Sequence, residues 1–154
     1  MNLSNYFSLI DSLIKLCQNV GIYICQRYKN SSSQQSSTKI DGTPLTQVDL
    51  NAHSMLVKGL FEICPDIPVL SEESTVSELR NRLDWRQLWI IDPLDGTREF
   101  LNKTGDFTIN IALVENGRPL LGIIYQPLQE ICYAGLVGKG VWRICTADPI
   151  GNSL

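Results

Sequence analysis

Two carboxylates three residues apart, Asp92 and Asp95, are the residues whose types and spacing most directly suggest chemistry. They follow the apolar run Leu88–Ile91, whose β-branched and aromatic members predict a buried strand. Pro93 favours an extended conformation for the residue before it, so Asp92 is predicted to be the last residue of that strand. Two anions at this spacing repel each other unless a cation lies between them, and divalent cations with oxygen ligands are the usual partners.

The residues after Asp92 predict a site that could also hold an anion. Pro-Leu-Asp-Gly reads as a tight turn in which Gly96 adopts a positive φ. Thr97 can then begin a short helix, whose first backbone N–H groups would face the carboxylates. A cation between the carboxylates and a phosphate at the turn would form a phosphoryl-transfer site. The structural alternative for a bare Asp-x-x-Asp is a capped strand–turn–helix with two surface aspartates.

A second pair of acidic residues follows another predicted strand. The run Ile67–Ser71 reads as a short strand that ends at Glu72 and Glu73. Because adjacent side chains of a strand point to opposite faces, only one of the two glutamates can face the aspartates. Alone, such a pair usually belongs to a solvated turn. Its position after a strand, as for Asp92, favours a shared site.

Two helices and a polar loop are predicted ahead of these strands. Apolar residues recur every three or four positions from Leu3 to about Tyr28, which indicates an amphipathic helix. The serine-rich stretch Asn30–Thr38 predicts a loop, either a flexible connector or a flap beside the site. A second helix is predicted from about Gln47 to Ile63. The pattern Thr46-x-x-Asp49 before it fits a capping box.

Alternating and apolar runs separated by turn residues predict an antiparallel meander in the second half of the chain. The strand 107–114 is predicted to be buried largely on both faces. Asn116-Gly117 is the preferred dipeptide of a type I′ hairpin and leads into the strand 120–125. Strands at 131–137 and 141–144 complete the series. The predicted fold class is therefore α+β, with two N-terminal helices packed on a largely antiparallel sheet.

Composition limits the function classes further. The chain has 154 residues, 44% of them hydrophobic, which suits one globular domain. Its net charge of −3 and unclustered basic residues argue against nucleic acid as a partner. Its five cysteines form no Cys-x-x-Cys pair, and no signal peptide or membrane span is evident. These features predict a cytoplasmic protein, with peripheral association with the inner membrane left open.

The string Trp89–Thr97, read as Trp-Ile-Ile-Asp-Pro-Leu-Asp-Gly-Thr, resembles the signature of the inositol monophosphatase superfamily of magnesium-dependent phosphatases. The continuation Arg98–Phe100, together with Gly105–Val114, is closer to the bacterial 3'(2'),5'-bisphosphate nucleotidase branch. Members of that branch hydrolyse 3'-phosphoadenosine 5'-phosphate during sulfate assimilation. Inositol-1-phosphate-type sugar phosphatases are the alternative within the superfamily. The resemblance extends over nearly the whole chain.

The resemblance assigns roles to individual residues. Mg²⁺ is expected on Glu72, Asp92, Asp95 and the backbone carbonyl of Leu94, with Glu73 as a supporting group. Asp49 and Thr97 are the expected catalytic residues, which orient the attacking water. The substrate phosphate is expected at the Gly96 and Thr97 N–H groups. The substrate-binding set that the resemblance implies is Glu72, Leu94, Asp95, Gly96 and Thr97.

Complete members of the superfamily carry a second α/β lobe, which supplies another metal-ligating aspartate and most contacts to the rest of the substrate. The sequence matches only the first lobe, so residues 1–145 are predicted to form the metal- and phosphate-binding lobe and 146–154 an irregular tail. A non-catalytic fragment that binds metal or a partner is the remaining alternative. The resemblance also implies a homodimer.

Overall fold

The computed structural model describes residues 3–30, 36–38, 44–75 and 84–147. It contains three helices and eight strands within these ranges. In chain order they are α1 (Leu3–Asn30), β1 (Ser36–Thr38), β2 (Pro44–Thr46), α2 (Gln47–Ile63), β3 (Val69–Ser71), β4 (Gln87–Asp95), α3 (Thr97–Asn102), β5 (Thr108–Glu115), β6 (Arg118–Gln126), β7 (Ile131–Leu136) and β8 (Gly140–Cys145).

The two long helices form one layer and bury their apolar faces against the sheet. Helix α1 buries Leu13, Cys17 and Ile24 completely, as the three-and-four spacing predicts. Helix α2 has the predicted bounds and begins with the predicted capping box, in which the Thr46 side chain accepts from the Asp49 N–H and Asp49 bonds back to the Thr46 N–H. Both helices share one hydrophobic core with the inner face of the sheet.

The second layer is a six-stranded sheet whose order, β3-β4-β5-β6-β7-β8, follows the chain. Strands β3 and β4 are parallel, and every later neighbour is antiparallel. The β5–β6 hairpin turns at Asn116 and Gly117, which both have a positive φ, as a type I′ turn requires. The α+β prediction of helices on a largely antiparallel sheet is therefore confirmed.

The prediction that β4 ends at Asp92 is wrong, because the strand continues to Asp95. Asp92 pairs with Asn110 and Asp95 with Thr108, so β4 has one more residue than β5 in this interval, which is a β-bulge. Pro93 is tolerated because it lies inside the bulge, where ladder hydrogen bonds are interrupted. The sharp change of direction occurs at Gly96, whose φ of 95° confirms the predicted positive value.

Two further predictions need correction. Strand β5 is fully buried on one face only, because both long helices pack on the inner face and its outward residues Asn110, Ala112 and Val114 stay half-buried. Residues 36–38 of the predicted loop form β1, because their backbone pairs with β2. The remainder of that predicted loop, 31–35, lies outside the described residues.

The end of the described chain is tied to the sheet. Thr146 is buried, and its N–H and hydroxyl both donate to the Glu130 carbonyl, at 2.8 and 2.9 Å. Residues 148–154 of the predicted tail lie outside the described residues, so the division at residue 145 stays a prediction. None of the helices in the described ranges is long and apolar enough to cross a membrane.

Candidate active site

The site residues come together at the end of β4, from four separate stretches of chain. In a regular strand, side chains three residues apart point to opposite faces. The extra residue in the bulge changes this alternation, because the partners of Asp92 and Asp95 are two positions apart on β5 and share a face. Both aspartates are thereby directed to the same end of the sheet.

Glu72 reaches this end from the neighbouring strand. Its backbone N–H donates to the Ile91 carbonyl at 3.1 Å, which continues the parallel β3–β4 pairing by one residue. The Glu72 carboxylate lies close enough to Asp92 to share a hydrogen bond with it when one of the two is protonated. Partial burial is the main cause that raises the pKa of Asp92 to about 7, and the charges of Glu72 and Asp95 add to it. The ionised form of Asp92 is therefore disfavoured in the metal-free site.

Asp49 lies beside this carboxylate cluster and is 1% exposed. Its Oδ2 accepts the Thr46 N–H at 2.8 Å and the Thr46 hydroxyl, and its Oδ1 accepts the Thr97 hydroxyl at 3.0 Å. The Thr97 oxygen is also 3.2 Å from the Leu94 carbonyl, which links Asp49 to the bulge. The structure thus brings together Asp49 and Thr97, which are 48 positions apart.

Backbone groups complete the site. The Leu94 N–H donates to Asp92 Oδ1 at 3.2 Å, so this carboxylate is held against its own bulge. Gly96 is the N-cap of α3, and its carbonyl accepts the Phe100 N–H at 2.9 Å. The N–H groups that precede Phe100 have no partner within the helix. They lie at the start of α3, which follows Asp95 directly in the chain.

The donor set of the cluster fits a hard divalent cation. Glu72, Asp92 and Asp95 supply carboxylate oxygens and Leu94 a carbonyl oxygen, which are the ligand types of Mg²⁺. Within the part of the chain that the structure describes, no three acidic, histidine or cysteine side chains converge tightly enough to enclose an ion. Mg²⁺ commonly keeps several waters and binds through one or two carboxylates, so this open arrangement suits it.

Asn110, which contacts the cluster, and Thr108, which contacts Asn110, were not predicted as site residues. The Asn110 side-chain amide donates to Asp95 Oδ2 at 3.1 Å, and the Thr108 hydroxyl lies 3.1 Å from Asn110 Oδ1. The spacing Thr108-x-Asn110 puts both on one face of a strand, but the contact of Asn110 with Asp95 depends on the bulge. His53 on α2 is half-buried, and its Nδ1 is hydrogen-bonded to the Ser71 hydroxyl at 2.8 Å.

Comparison with known proteins places this geometry in a family. Residues 7–146 match the inositol monophosphatase family. The 3'(2'),5'-bisphosphate nucleotidase CysQ of Shigella flexneri is 40% identical over 136 residues, which are 88% of this chain and 54% of that protein. CysQ of Buchnera aphidicola is 41% identical over 135 residues, or 88% of this chain and 50% of that protein. The chain therefore spans about half the length of the curated relatives it matches.

Solved structures with a similar fold support the same family. SuhB of Bartonella henselae superposes with a TM-score of 0.79 at 26% identity, over 88% of this chain and 52% of that one. CysQ of Bacteroides thetaiotaomicron superposes with a TM-score of 0.75 at 35% identity, over 95% of this chain and 53% of that one. The family match covers α1 from residue 7 onward, α2, α3 and the whole six-stranded sheet, including the bulge and its carboxylates. The chain belongs to the inositol monophosphatase family.

Proposed function

We propose that the chain is the metal- and phosphate-binding half of a magnesium-dependent 3'(2'),5'-bisphosphate nucleotidase, which converts 3'-phosphoadenosine 5'-phosphate to AMP and phosphate. The observation that carries the proposal is the Thr97–Asp49 hydrogen bond of 3.0 Å beside the carboxylate cluster. A group that can position water next to a cation site is what hydrolysis of a phosphomonoester requires. The relatives named CysQ support the nucleotide substrate.

Glu72, Asp92, Asp95 and the Leu94 carbonyl are the proposed Mg²⁺ ligands. Bound Mg²⁺ would neutralise charge on the phosphate oxygens and on the attacking and leaving oxygens. The raised pKa of Asp92, caused first by burial and then by the Glu72 and Asp95 charges, supports this assignment, because a bound cation would stabilise the ionised carboxylate. Glu73, whose N–H is 3.3 Å from the Ser71 hydroxyl, is the supporting group beside them.

Thr97 is proposed to orient the attacking water. Its hydroxyl donates its single hydrogen to Asp49 Oδ1, which leaves the lone pairs of the threonine oxygen free to accept from water. Asp49 cannot rotate away, because Thr46 holds its other oxygen. As the water attacks phosphorus in line, its proton passes to the Thr97 oxygen and the threonine proton passes to Asp49.

The phosphate is proposed to bind at the start of α3, where the N–H groups of Gly96 and Thr97 precede the first intrahelical bond. The positive φ of Gly96 supports this role, because it turns the chain from β4 into α3 directly after Asp95. The proposed substrate contacts are Glu72, Leu94, Asp95, Gly96 and Thr97.

The second candidate is an inositol-1-phosphate-type phosphatase. It is favoured by the inositol monophosphatase of Thermotoga maritima, which superposes with a TM-score of 0.75 at 28% identity over 88% of this chain. A fragment that binds metal without turnover is the third.

Phosphate release by the purified chain separates these candidates. With Mg²⁺ present, 3'-phosphoadenosine 5'-phosphate and inositol 1-phosphate are offered in parallel to the wild type, Asp95→Asn and Asp66→Asn. Asp66 is an exposed acid in the α2–β3 loop and serves as the matched control. We expect nucleotide turnover that Asp95→Asn abolishes and Asp66→Asn retains. Preference for the inositol ester would overturn the nucleotidase assignment, and metal binding without turnover of either would leave a binding module.

The proposal also includes a location and an assembly. All five cysteines are free in the structure, which supports a reducing compartment and hence the cytoplasm. A homodimer is proposed from the family resemblance, and sedimentation velocity of the purified chain tests it.

A further inference from the structure

The side chain of Asn110 is aimed at one of the proposed metal ligands. Asn110 lies on β5 directly opposite Asp92, and its Nδ2 donates to Asp95 Oδ2 at 3.1 Å. Asp95 is exposed, whereas Asn110 is half-buried on the outer face of the sheet. The amide thus bridges the bulge, from a residue paired with the first aspartate to the carboxylate of the second.

Thr108 fixes which way the Asn110 amide faces. Its Oγ1 is 3.1 Å from Asn110 Oδ1. An ionised carboxylate can only accept, so the NH₂ group must face Asp95 and the amide oxygen must face Thr108, whose hydroxyl then donates. The three side chains form a directed chain of donors that runs from Thr108 through Asn110 to Asp95.

We infer that Asn110, held by Thr108, is a positioning residue that sets the orientation of the Asp95 carboxylate toward the bound cation. An exposed aspartate otherwise rotates freely and loses that freedom when it binds a metal. Holding one oxygen with a neutral donor removes part of this cost and directs the other oxygen toward the site. The inference rests on the proposed function only through the assignment of Asp95 as a ligand.

The alternative is a purely structural role, in which the Asn110 side chain only joins β4 to β5 across the bulge. The chain offers a matched example of such a role. Gln87 Nε2 donates to Glu115 Oε1 at 3.0 Å, across the same pair of strands but at their other end. Gln87→Ala therefore removes an amide–carboxylate bond of the same kind, away from the cluster.

Mn²⁺ binding by the whole chain tests the inference without turnover. The free-ion electron paramagnetic resonance signal is titrated with wild type, Asn110→Ala, Thr108→Val, Thr108→Ser and Gln87→Ala, and thermal unfolding is recorded in chelator. We expect Asn110→Ala to weaken binding about tenfold. Thr108→Val should weaken it about threefold, because it frees the amide without removing it, and Thr108→Ser should restore it. Gln87→Ala should leave the affinity unchanged.

Unchanged Mn²⁺ affinity in Asn110→Ala overturns the inference while the proposed metal site stands. Equal weakening by Gln87→Ala also overturns it, because the effect would then follow from loosened strands. A wild-type chain that binds no Mn²⁺ at millimolar metal overturns the proposed metal site and this inference together. Weakening confined to Asn110→Ala and Thr108→Val, with metal-free unfolding temperatures close to that of Gln87→Ala, supports it.

Discussion

Asp49 serves the fold and the proposed chemistry with different oxygens. Its Oδ2 closes the capping box with Thr46, and its Oδ1 accepts the Thr97 hydroxyl. The capping pattern is a sufficient structural reason for an aspartate at this position. The Asp49 carboxylate is almost completely buried. The hydrogen bond from Thr97 stabilises it there, because an unpaired buried oxygen is costly. The structural and functional interpretations of this residue are therefore compatible.

The Thr97 hydroxyl is expected to contribute both to phosphate release and to the stability of the fold. We expect Thr97→Val to lower the rate of phosphate release about 100-fold, because water loses its acceptor. It should also lower the free energy of unfolding by about 1–3 kcal/mol, because Asp49 Oδ1 is left unpaired. Thr97→Ser, which keeps the hydroxyl, should retain both. Turnover and chemical denaturation of the three proteins measure these effects, and wild-type turnover by Thr97→Val would contradict the proposed role.

Asp92 should make the metal-free protein less stable as pH rises. Its pKa is raised from the ordinary 3.8 to about 7, first by burial and then by Glu72, so the folded state binds this proton more tightly than the unfolded state. The resulting stability is fully present below about pH 4 and is lost as pH rises through 7. We expect Asp92→Asn to raise the unfolding temperature in chelator by about 2–4 °C at pH 8, after allowing for solvent screening.

The same comparison at pH 5 and with Mg²⁺ provides the controls. At pH 5 the increase in unfolding temperature caused by Asp92→Asn should be smaller, because Asp92 in the folded state is already largely protonated. Mg²⁺ should stabilise the wild type and not the variant, because the variant lacks one charged ligand. An equal gain from Asp92→Asn at pH 5 and pH 8 would show that charge at this position is not the cause.

At the scale of elements, the turn between β4 and α3 depends on Gly96. Its φ is 95°, and a Cβ there would lie 2.5 Å from the Asp106 carbonyl oxygen and 3.1 Å from the Phe107 Cα. Both neighbours are backbone atoms and cannot move aside as a side chain could. A side chain at position 96 would clash with the 105–107 segment. The left-handed conformation of this residue also disfavours any residue other than glycine.

Gly96→Ala should therefore lower the free energy of unfolding by more than about 2 kcal/mol and abolish Mn²⁺ binding. Gly117→Ala is the matched control, since its φ of 71° imposes the same conformational cost but no atom lies within 4 Å of its Cβ position. We expect Gly117→Ala to lower the free energy of unfolding by only about 1 kcal/mol and to leave Mn²⁺ binding unchanged. Equal losses in the two variants, measured by urea unfolding, would show that steric contact at Gly96 is unimportant.

Local patterns in the sequence predict the elements better than they predict the site. The bounds of α2 follow from its capping box and apolar spacing, and the β5–β6 turn follows from Asn116-Gly117. The bulge in β4 escapes such patterns, because it exists only relative to the pairing of β5. The Asn110–Asp95 contact depends on that bulge and was missed for the same reason. Strand β1 likewise has no apolar pattern and is defined by its partner.

At the scale of the whole molecule, the two faces of the sheet differ. The helices bury the inner face, whereas the outer face carries a groove of about 740 Å³. Ala112, Gly122 and Gly135 are successive partners across β5, β6 and β7 and form its floor. No atom lies within 4 Å of a Cβ built on Gly122, so the groove is open above it. The groove extends to Glu72 and Asp92, so an apolar surface and the charged site are continuous.

This outer face should bind an apolar dye. Its exposed residues Ile124 and Val141, which are 50% and 75% exposed, line the groove, and a contiguous apolar surface of this kind binds 8-anilinonaphthalene-1-sulfonate. We expect the double variant Ile124→Lys/Val141→Lys to lower dye fluorescence severalfold with little change in unfolding temperature. Phe61→Lys is the control, because Phe61 is 63% exposed on α2, outside the groove, and should contribute little. Unchanged fluorescence in the double variant, or an equal decrease in the control, would show that the dye binds elsewhere and that the groove is not the dominant apolar surface of the folded chain.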